Sequence, residues 1–415
     1  MITEIEQYIA LFFIYSFAGW VMETVQISIR QKKFVNRGFL IGPYCPIYGC
    51  GVLLITLLLF VAISIVTIYS AQNMLHSGSN LALRQGIWYF IGFILVYLIM
   101  FIGNDVIIKN AWILYIIGNI TLVLLLIFAD PISNAKCWFS IPGIGTIQPS
   151  EFMKIILIII LGKVIKEFNE NFANPTVKEE FFFLIKVGLI VAVPSILTFL
   201  QPDTGVVLIY LLITIIMLFI AGIRYRWFII LFLVLFLSVG SVLLIYFASN
   251  NLFIKIFGSS FFLRVDRLLD WSNKSGYQLE NGITAIGSGG LFGHGFNNTP
   301  IYFPEAQTDF IFAVFASNFG LIGSLLLLLL IAFFDIKLIL TAMKSNSNIN
   351  KYIISGIVGM LIYQQLQNIG MTFGLMPITG ITLPFISYGG SSLLSYMLMI
   401  GIIFNISNQA LRNIN

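Results

Sequence analysis

Three carboxylates in this chain stand at the same kind of place. Glu151, Asp203 and Asp309 each sit where a polar joint gives way to a long apolar run, and Lys154 and Glu305 flank two of them. Ionisable groups at bilayer depth are costly, seldom face lipid, and usually serve proton transfer or charged substrates. Together they make a candidate functional site. A plainer reading applies to each one alone. Thr308-Asp309, Ser150-Glu151 and Asp203 all suit the first turn of a helix, where a short polar side chain caps free N–H groups and an acid suits the dipole. Three acids on one face with a lysine nearby favour a site over three separate caps.

Other chemistries find less support. Cys45, Cys50 and Cys137 are too few and too scattered for a disulfide framework. His76 and His294 lack partners at metal-ligand spacing, so no zinc site is expected. The run GSGGLFGHG at 287–295 has neither the GxGxxG register nor a GK[ST] ending. Its glycines suit tight turns and close backbone packing in a re-entrant or surface segment. A second run, Tyr388-Gly389-Gly390-Ser391-Ser392, opens the last apolar stretch, where small residues let helices approach closely.

The elements that must position these residues are membrane helices. Hydrophobic residues make up 59% of the 415 and charged ones 9%, against roughly 45–50% and 25% in soluble domains. No water-soluble surface can be built from this, which excludes soluble enzymes, nucleic-acid binders and secreted disulfide scaffolds. The net charge of +5 then reflects loop charges rather than an acidic partner. The start, MITEIEQ, is acidic and its apolar run has no small-residue cleavage site, so no removable signal peptide is expected.

Taking roughly 20 apolar residues per crossing, eleven spans are expected: 8–29, 52–70, 86–103, 111–129, 152–166, 181–200, 205–221, 225–248, 310–335, 352–372 and 391–408. Two longer segments, 130–150 and 249–308, separate some of them. One set of loops holds twelve Lys and Arg, from Arg30 and Lys32 to Lys351 and Arg412, whereas the short loops opposite hold only Arg84 and Lys136. That asymmetry puts the C-terminus in the cytoplasm and, with eleven crossings, the N-terminus outside. Glu151, Asp203 and Asp309 are two crossings apart in turn and therefore share the outer face. Lys154, Glu305 and the segment 249–308 join them there.

From about residue 52 onward the chain resembles the bacterial shape, elongation, division and sporulation (SEDS) family, the polytopic peptidoglycan polymerases typified by RodA and FtsW. The likeness rests on Arg84-Gln85, AKCWF at 135–139, QPSEFMK at 148–154, QPDTG at 201–205 and GYQ at 276–278. It continues through AIGSGGLFGHG at 285–295, PEAQTDFIFA at 304–313 and NIGMTFGLMPITGITLPFISYGGSS at 368–392. The resemblance implies an all-α bundle of ten membrane helices with a large extracytoplasmic loop before the ninth span of this chain. Residues 1–51 lie outside it and add one helix in front. That segment, with Tyr15-Ser16-Phe17, Gly19-Trp20, Glu23 and RGFLIGPYCPIYG at 37–49, resembles a family of ABC-transporter-like membrane proteins, which makes it a fused module.

Glycosyl transfer outside the membrane is what the family resemblance implies. Its members polymerise lipid II into β-1,4-linked glycan strands alongside a class B penicillin-binding protein that cross-links the peptides. Asp309 matches the essential aspartate of the family's TDFIF motif and is the expected general base. Lys154 matches a lysine of the QPSEFMK pattern, expected to hold the departing diphosphate, with Lys136, Arg264 and Arg267 as further cations. Glu305 is expected to orient a sugar or tune Asp309, and Trp138 to stack on a sugar or sit in an interfacial belt. Glu151 or Glu305 is also a candidate for a divalent cation, although no ligand pattern marks a metal site. Two departures stand out: Asn134 and Cys137 replace the glycine and arginine of GAKRW, and Ser317-Asn318 replace a Glu-Glu pair. Two rival readings use the same residues. One is a transporter that flips the lipid-linked precursor, and the other an inactive scaffold for the penicillin-binding protein.

Overall fold

In the computed structural model of the chain the described residues are 46–74, 80–131, 136–141, 145–259, 261–262, 265 and 276–412. The expected span 8–29 with Glu23, the arginines Arg264 and Arg267, and Asn134 lie outside them. Leu53–Asn415 forms one compact unit and Met1–Val52 another; the cavity and contacts described belong to the first.

Helices α1 (Pro46–Met74), α2 (Leu81–Ile102), the short α3 (Asn104–Lys109) and α4 (Ala111–Phe128) lead to a hairpin of β1 (Phe139–Ile141) and β2 (Gly145–Ile147). Next come α5 (Pro149–Asn171), α6 (Val177–Leu200), α7 (Thr204–Ile220) and α8 (Tyr225–Ala248). The chain ends with α9 (Asn250–Phe257), α10 (Tyr277–Ser288), α11 (Ile311–Lys344), α12 (Asn348–Thr372) and α13 (Gly390–Arg412). Each expected span from 52 onward falls on one of these helices. The protein is a helical, multi-pass membrane protein. Among the described residues only the hairpin departs from an all-helical reading. Its strands pair antiparallel with Ser140 opposite Thr146, inside what reads in the sequence as a plain loop.

Seven helices among the described residues are long and apolar enough to cross a membrane: α1, α2, α4, α6, α8, α11 and α13. Helix α7 is equally apolar but only 17 residues long. Two helices with polar interiors, α5 and α12, are not among these seven and are largely enclosed by the bundle. Helix α5 carries Glu151 and Lys154, α12 carries Gln364, Gln365, Gln367 and Asn368, and all of these are buried. A helix wrapped by other helices rather than by lipid can hold such groups because protein partners satisfy them. At the opposite extreme, α8 buries none of its residues.

Amides hold the bundle together where apolar packing gives no preference over lipid. The Asn405 amide on α13 donates to the Ile99 carbonyl of α2 at 2.9 Å and to Asn104 Oδ1 at 3.1 Å. Asn104 donates back to the Ile402 carbonyl at 3.0 Å. At the start of α6, Thr176 and Glu179 form a reciprocal capping box, the arrangement that satisfies two free N–H groups at once.

Helix α11 is broken at Gly320, where φ is 64° and ψ −162°. A break at this depth frees backbone groups that lipid cannot satisfy. The glycine-rich segment after α10 supplies the partners. His294 N and Gly295 N donate to the carbonyls of Ser317 and Asn318 at 2.9 and 3.0 Å, and Leu321 N and Ile322 N donate to those of Gly290 and Leu291 at 2.9 and 3.1 Å. The approach is so close that a Cβ on Gly320 would fall 2.4 Å from the Gly293 nitrogen. Gly289 and Gly293 therefore serve backbone packing, and the break is closed by main chain.

Candidate active site

Asp309 sits in a tight turn ahead of α11. Glu305 takes a left-handed conformation with φ 53°, and its carbonyl accepts from Thr308 N at 3.2 Å and Phe310 N at 3.1 Å. The turn is clamped from two sides. Asn368 on α12 donates to the Asp309 carbonyl at 2.8 Å and to that of Ile381 at 2.8 Å. Ser387 Oγ donates to the Thr308 carbonyl at 2.6 Å, and Tyr388 N to the Gln307 carbonyl at 2.9 Å. Asp309 is not a cap: Phe310 holds the N-cap position of α11 and makes no side-chain capping bond. With its backbone fixed, the carboxyl lies half-buried on a cavity wall.

Enclosure sets its acidity. Burial pushes the Asp309 carboxyl up to about 7, the neighbouring Glu305 charge pushes the same way, and a hydrogen bond from Thr308 opposes both. Thr308 Oγ1 also donates to Glu305 Oε2 at 2.8 Å, which holds that second carboxylate beside the first.

The cavity measures about 540 Å3 and gathers residues from far apart in the chain. Glu151, Asp203, Glu305, Asp309 and Trp138 all line it. Of the three acids open to a capping reading, only Asp203 caps a helix. Its Oδ1 accepts from Val206 N at 3.2 Å at the start of α7, while its Oδ2 accepts from Gln148 Nε2 at 2.7 Å. Burial raises Asp203 to about 6 against the pull of those hydrogen bonds, with the Glu151 charge adding to the rise and Lys154 opposing it. Glu151 instead pairs with Lys154, Nζ to Oε2 at 2.7 Å.

Lys154 is not on the wall. It is fully buried behind Glu151, with its ammonium 5.6 Å from the centre of the Tyr396 ring. Its ammonium contacts the Glu151 carboxylate, and its charge also opposes the upward shift of Asp203 on the wall. Lys136 is also off the wall, half-buried and donating to the Leu126 carbonyl at 3.4 Å. Cys137, where the resemblance leads one to expect arginine, does border the cavity. Its thiol donates to the Gln201 carbonyl at 2.8 Å, and burial pushes it up to about 12, so it supplies neither a cation nor a nucleophile. Among the described residues, no three His, Cys, Asp or Glu side chains gather as a metal site would require. Ser317 and Asn318 are fully buried at the α11 break, away from this wall.

Several wall residues carry no site expectation from the sequence. Arg84 and Trp88 from α2 line the cavity with Gln148, Gln364 and the stretch Tyr388–Ser392. Arg84 stands in the Arg84-Gln85 motif of the family resemblance and among the loop charges, but the sequence assigns it no chemical role. The buried Gln85 beside it ties α2 to the last loop, donating to the Ser387 carbonyl at 3.2 Å and accepting from Gly389 N at 3.3 Å.

Known proteins share this arrangement of chain. Residues 47–412 match the family described as FtsW, RodA and SpoVE, cell cycle protein. The chain belongs to that family. The probable peptidoglycan glycosyltransferase FtsW of Lactococcus lactis subsp. lactis (strain IL1403) is 30% identical, over 92% of this chain and 94% of its own length. Stage V sporulation protein E of Bacillus subtilis (strain 168) is 32% identical, over 86% of this chain and 96% of its own. The fold is also that of a protein chain solved in a study of how a peptidoglycan synthase complex coordinates polymerization and crosslinking. That chain has TM-score 0.72 at 24% identity, with 89% of this chain and 98% of it covered. In this member of the FtsW, RodA and SpoVE family the cavity wall carries Glu151, Asp203, Glu305 and Asp309 together with Cys137.

Proposed function

We propose that this chain is a peptidoglycan glycosyltransferase that joins lipid II units into β-1,4 glycan strands, with Asp309 as general base. The observation that carries the reading is Asp309 itself, clamped by its backbone on the cavity wall with its carboxyl held at about 7. The acceptor's 4-hydroxyl oxygen attacks the anomeric carbon of the donor, its proton passes to the Asp309 carboxylate, and the bond from that carbon to the lipid diphosphate breaks. A base works best when its pKa lies near the working pH. The diphosphate leaves without needing a proton, so the second carboxylate of glycosidases is not required. Glu305, Glu151 and Asp203 then orient sugar hydroxyls, and Trp138 offers an apolar face for a sugar ring.

The Lys and Arg asymmetry supports a cavity on the outer face of the cytoplasmic membrane, with the C-terminus inside and the N-terminus outside. A donor there must arrive already activated on a lipid, which suits a lipid diphosphate. By analogy with the synthase complex, the partner is a class B penicillin-binding protein. Residues 1–51 form a separate module fused ahead of the 52–415 catalytic bundle, of the ABC-transporter-like kind. A flipping transporter would offer freed main-chain groups of broken helices to its cargo, whereas those at Gly320 are taken up by the glycine-rich segment.

The test is polymerisation by purified protein in liposomes, with and without the partner. Given lipid II, the wild type should form strands resolvable on a gel, and Asp309→Ala should form none while still binding the partner. Equal strand yield from both proteins would sink the assignment of Asp309. No strands from folded wild type with its partner would sink the enzyme.

A further inference from the structure

The proposed reaction brings a diphosphate into a cavity whose described wall carries four acids, Glu151, Asp203, Glu305 and Asp309. Lys154, the expected counter-charge, is sealed behind Glu151, and Cys137 stands where the family resemblance leads one to expect arginine. Among the described lining residues one positive charge remains, that of Arg84. Its side chain is exposed, and no ion pair engages it among the described residues.

Arg84 is not alone on its face. Trp88 follows it by four positions on α2, so the two side chains are neighbours about 5–6 Å apart at Cβ. Both line the same cavity. The indole is held in place by backbone: a Cβ on Gly390 would fall 2.6 Å from Trp88 Cε2 and 3.0 Å from Cδ2. The adjacent row of α2 is locked as well. Gln85 bonds the 387–389 main chain, and the Tyr89 hydroxyl donates to the Phe385 carbonyl. Arg84 and Trp88 thus project from a fixed surface, one a forked donor and the other a flat apolar face.

We infer that Arg84 and Trp88 form the subsite for the sugar-diphosphate of the lipid-linked donor, the guanidinium taking the diphosphate and the indole supporting the sugar ring bonded to it. This rests on the glycosyltransferase reading and names which wall receives the leaving group. A guanidinium binds phosphate oxygens through paired hydrogen bonds. One helical turn between cation and ring suits a ligand whose diphosphate and sugar are directly bonded.

The test uses the full-length Asp309→Asn protein in nanodiscs, which binds without turnover. Two probes are titrated: a polyprenyl diphosphate without sugar, and lipid II. Arg84→Gln should weaken both on the order of tenfold or more, and Arg84→Lys should recover part of that loss. Trp88→Leu should leave the bare polyprenyl diphosphate within about twofold of the parent but weaken lipid II roughly threefold or more. Gly390→Ala, which must displace the indole, should follow Trp88→Leu. Unchanged binding of both lipids in Arg84→Gln overturns the subsite, as does equal loss of both in Trp88→Leu, which would mark the indole as structural. Failure of the Asp309→Asn parent to bind either lipid would overturn the glycosyltransferase reading along with it. All variants are compared only where they elute as the parent does in size-exclusion chromatography.

Discussion

If Asp309 is the base, the rate should follow its ionisation. Burial and the Glu305 charge hold the carboxyl at about 7, so roughly a tenth is ionised at pH 6 and roughly nine-tenths at pH 8. The initial rate of strand formation at saturating lipid II should therefore rise about tenfold across that interval. Glu305→Gln removes the like charge while keeping a group that can accept from Thr308. Without that charge the ionised form of Asp309 costs less, so the rising limb must move to lower pH. The ratio of the rate at pH 6 to that at pH 8 should then increase, even if the maximal rate falls. The assay is gel-resolved strand formation between pH 5.5 and 8.5, with elution at each pH confirming intact protein. A limb centred near the ordinary carboxylate range would refute the argument from burial. A limb that stays put or moves up in Glu305→Gln would refute the coupling.

Three further outcomes are expected. Asp309→Asn should stabilise the fold above pH 7. The raised pKa means the folded state holds its proton where the unfolded chain has lost it, so wild-type stability falls between about pH 4 and 7 and is level above. Melting temperatures of the two proteins should converge below pH 4, and a gap that fails to grow with pH would count against burial as the cause. Lys154→Met leaves the buried Glu151 without its partner and should cost about 3–5 kcal/mol, partly restored by adding Glu151→Gln; thermal unfolding in detergent reads both, and a stable single variant would contradict the pairing. Gly320→Ala should cost more than the roughly 1–3 kcal/mol of an alanine held at φ 64° and ψ −162°, because its Cβ also meets the Gly293 nitrogen. Gly287→Ala, inside α10 with open space around its Cβ position, should cost nothing and serves as the comparison.

Much of the fold was legible because hydropathy reports on lipid contact directly. The spans from 52 onward fall on helices, and the alternation of crossings placed Glu151, Asp203 and Asp309 at one end, where they share a cavity. What hydropathy cannot report is which helix meets protein on all sides. Lys154 reads like an outward cation, yet α5 is enclosed and the ammonium turns to Glu151 and Tyr396. The capping alternative, which holds for Asp203, fails for Asp309 for a related reason. An acid before an apolar run is a cap only if the turn delivers it, and the left-handed Glu305 shifts the start of α11 past Asp309 to Phe310. The break at Gly320 left no trace in the apolar run, because its signal lies thirty residues away in the glycines that fill it. Arg84 and Trp88 escaped because their role depends on how α2 meets the loop before α13, a contact between segments roughly three hundred residues apart.

The charge pattern of the cavity ties these features to one another. Four acids face a space proposed to receive an anion, which is unfavourable if all are ionised. The structure reduces that charge by two means. Glu151 is paired with the fully buried Lys154, and Asp203 and Asp309 are held at about 6 and about 7, so each carries a proton part of the time near neutrality. A group that is half-protonated when the donor enters is also poised to accept a proton from the acceptor. Entry of a diphosphate raises the proton affinity of every nearby carboxylate, which would hold Asp309 protonated unless a cation meets the new charge. Arg84, on the described wall, is placed to do so. Base and cation therefore depend on each other: removing the guanidinium should not only weaken donor binding but also push the pH limb set by Asp309 upward. That second effect would not follow if Arg84 merely stabilised the fold.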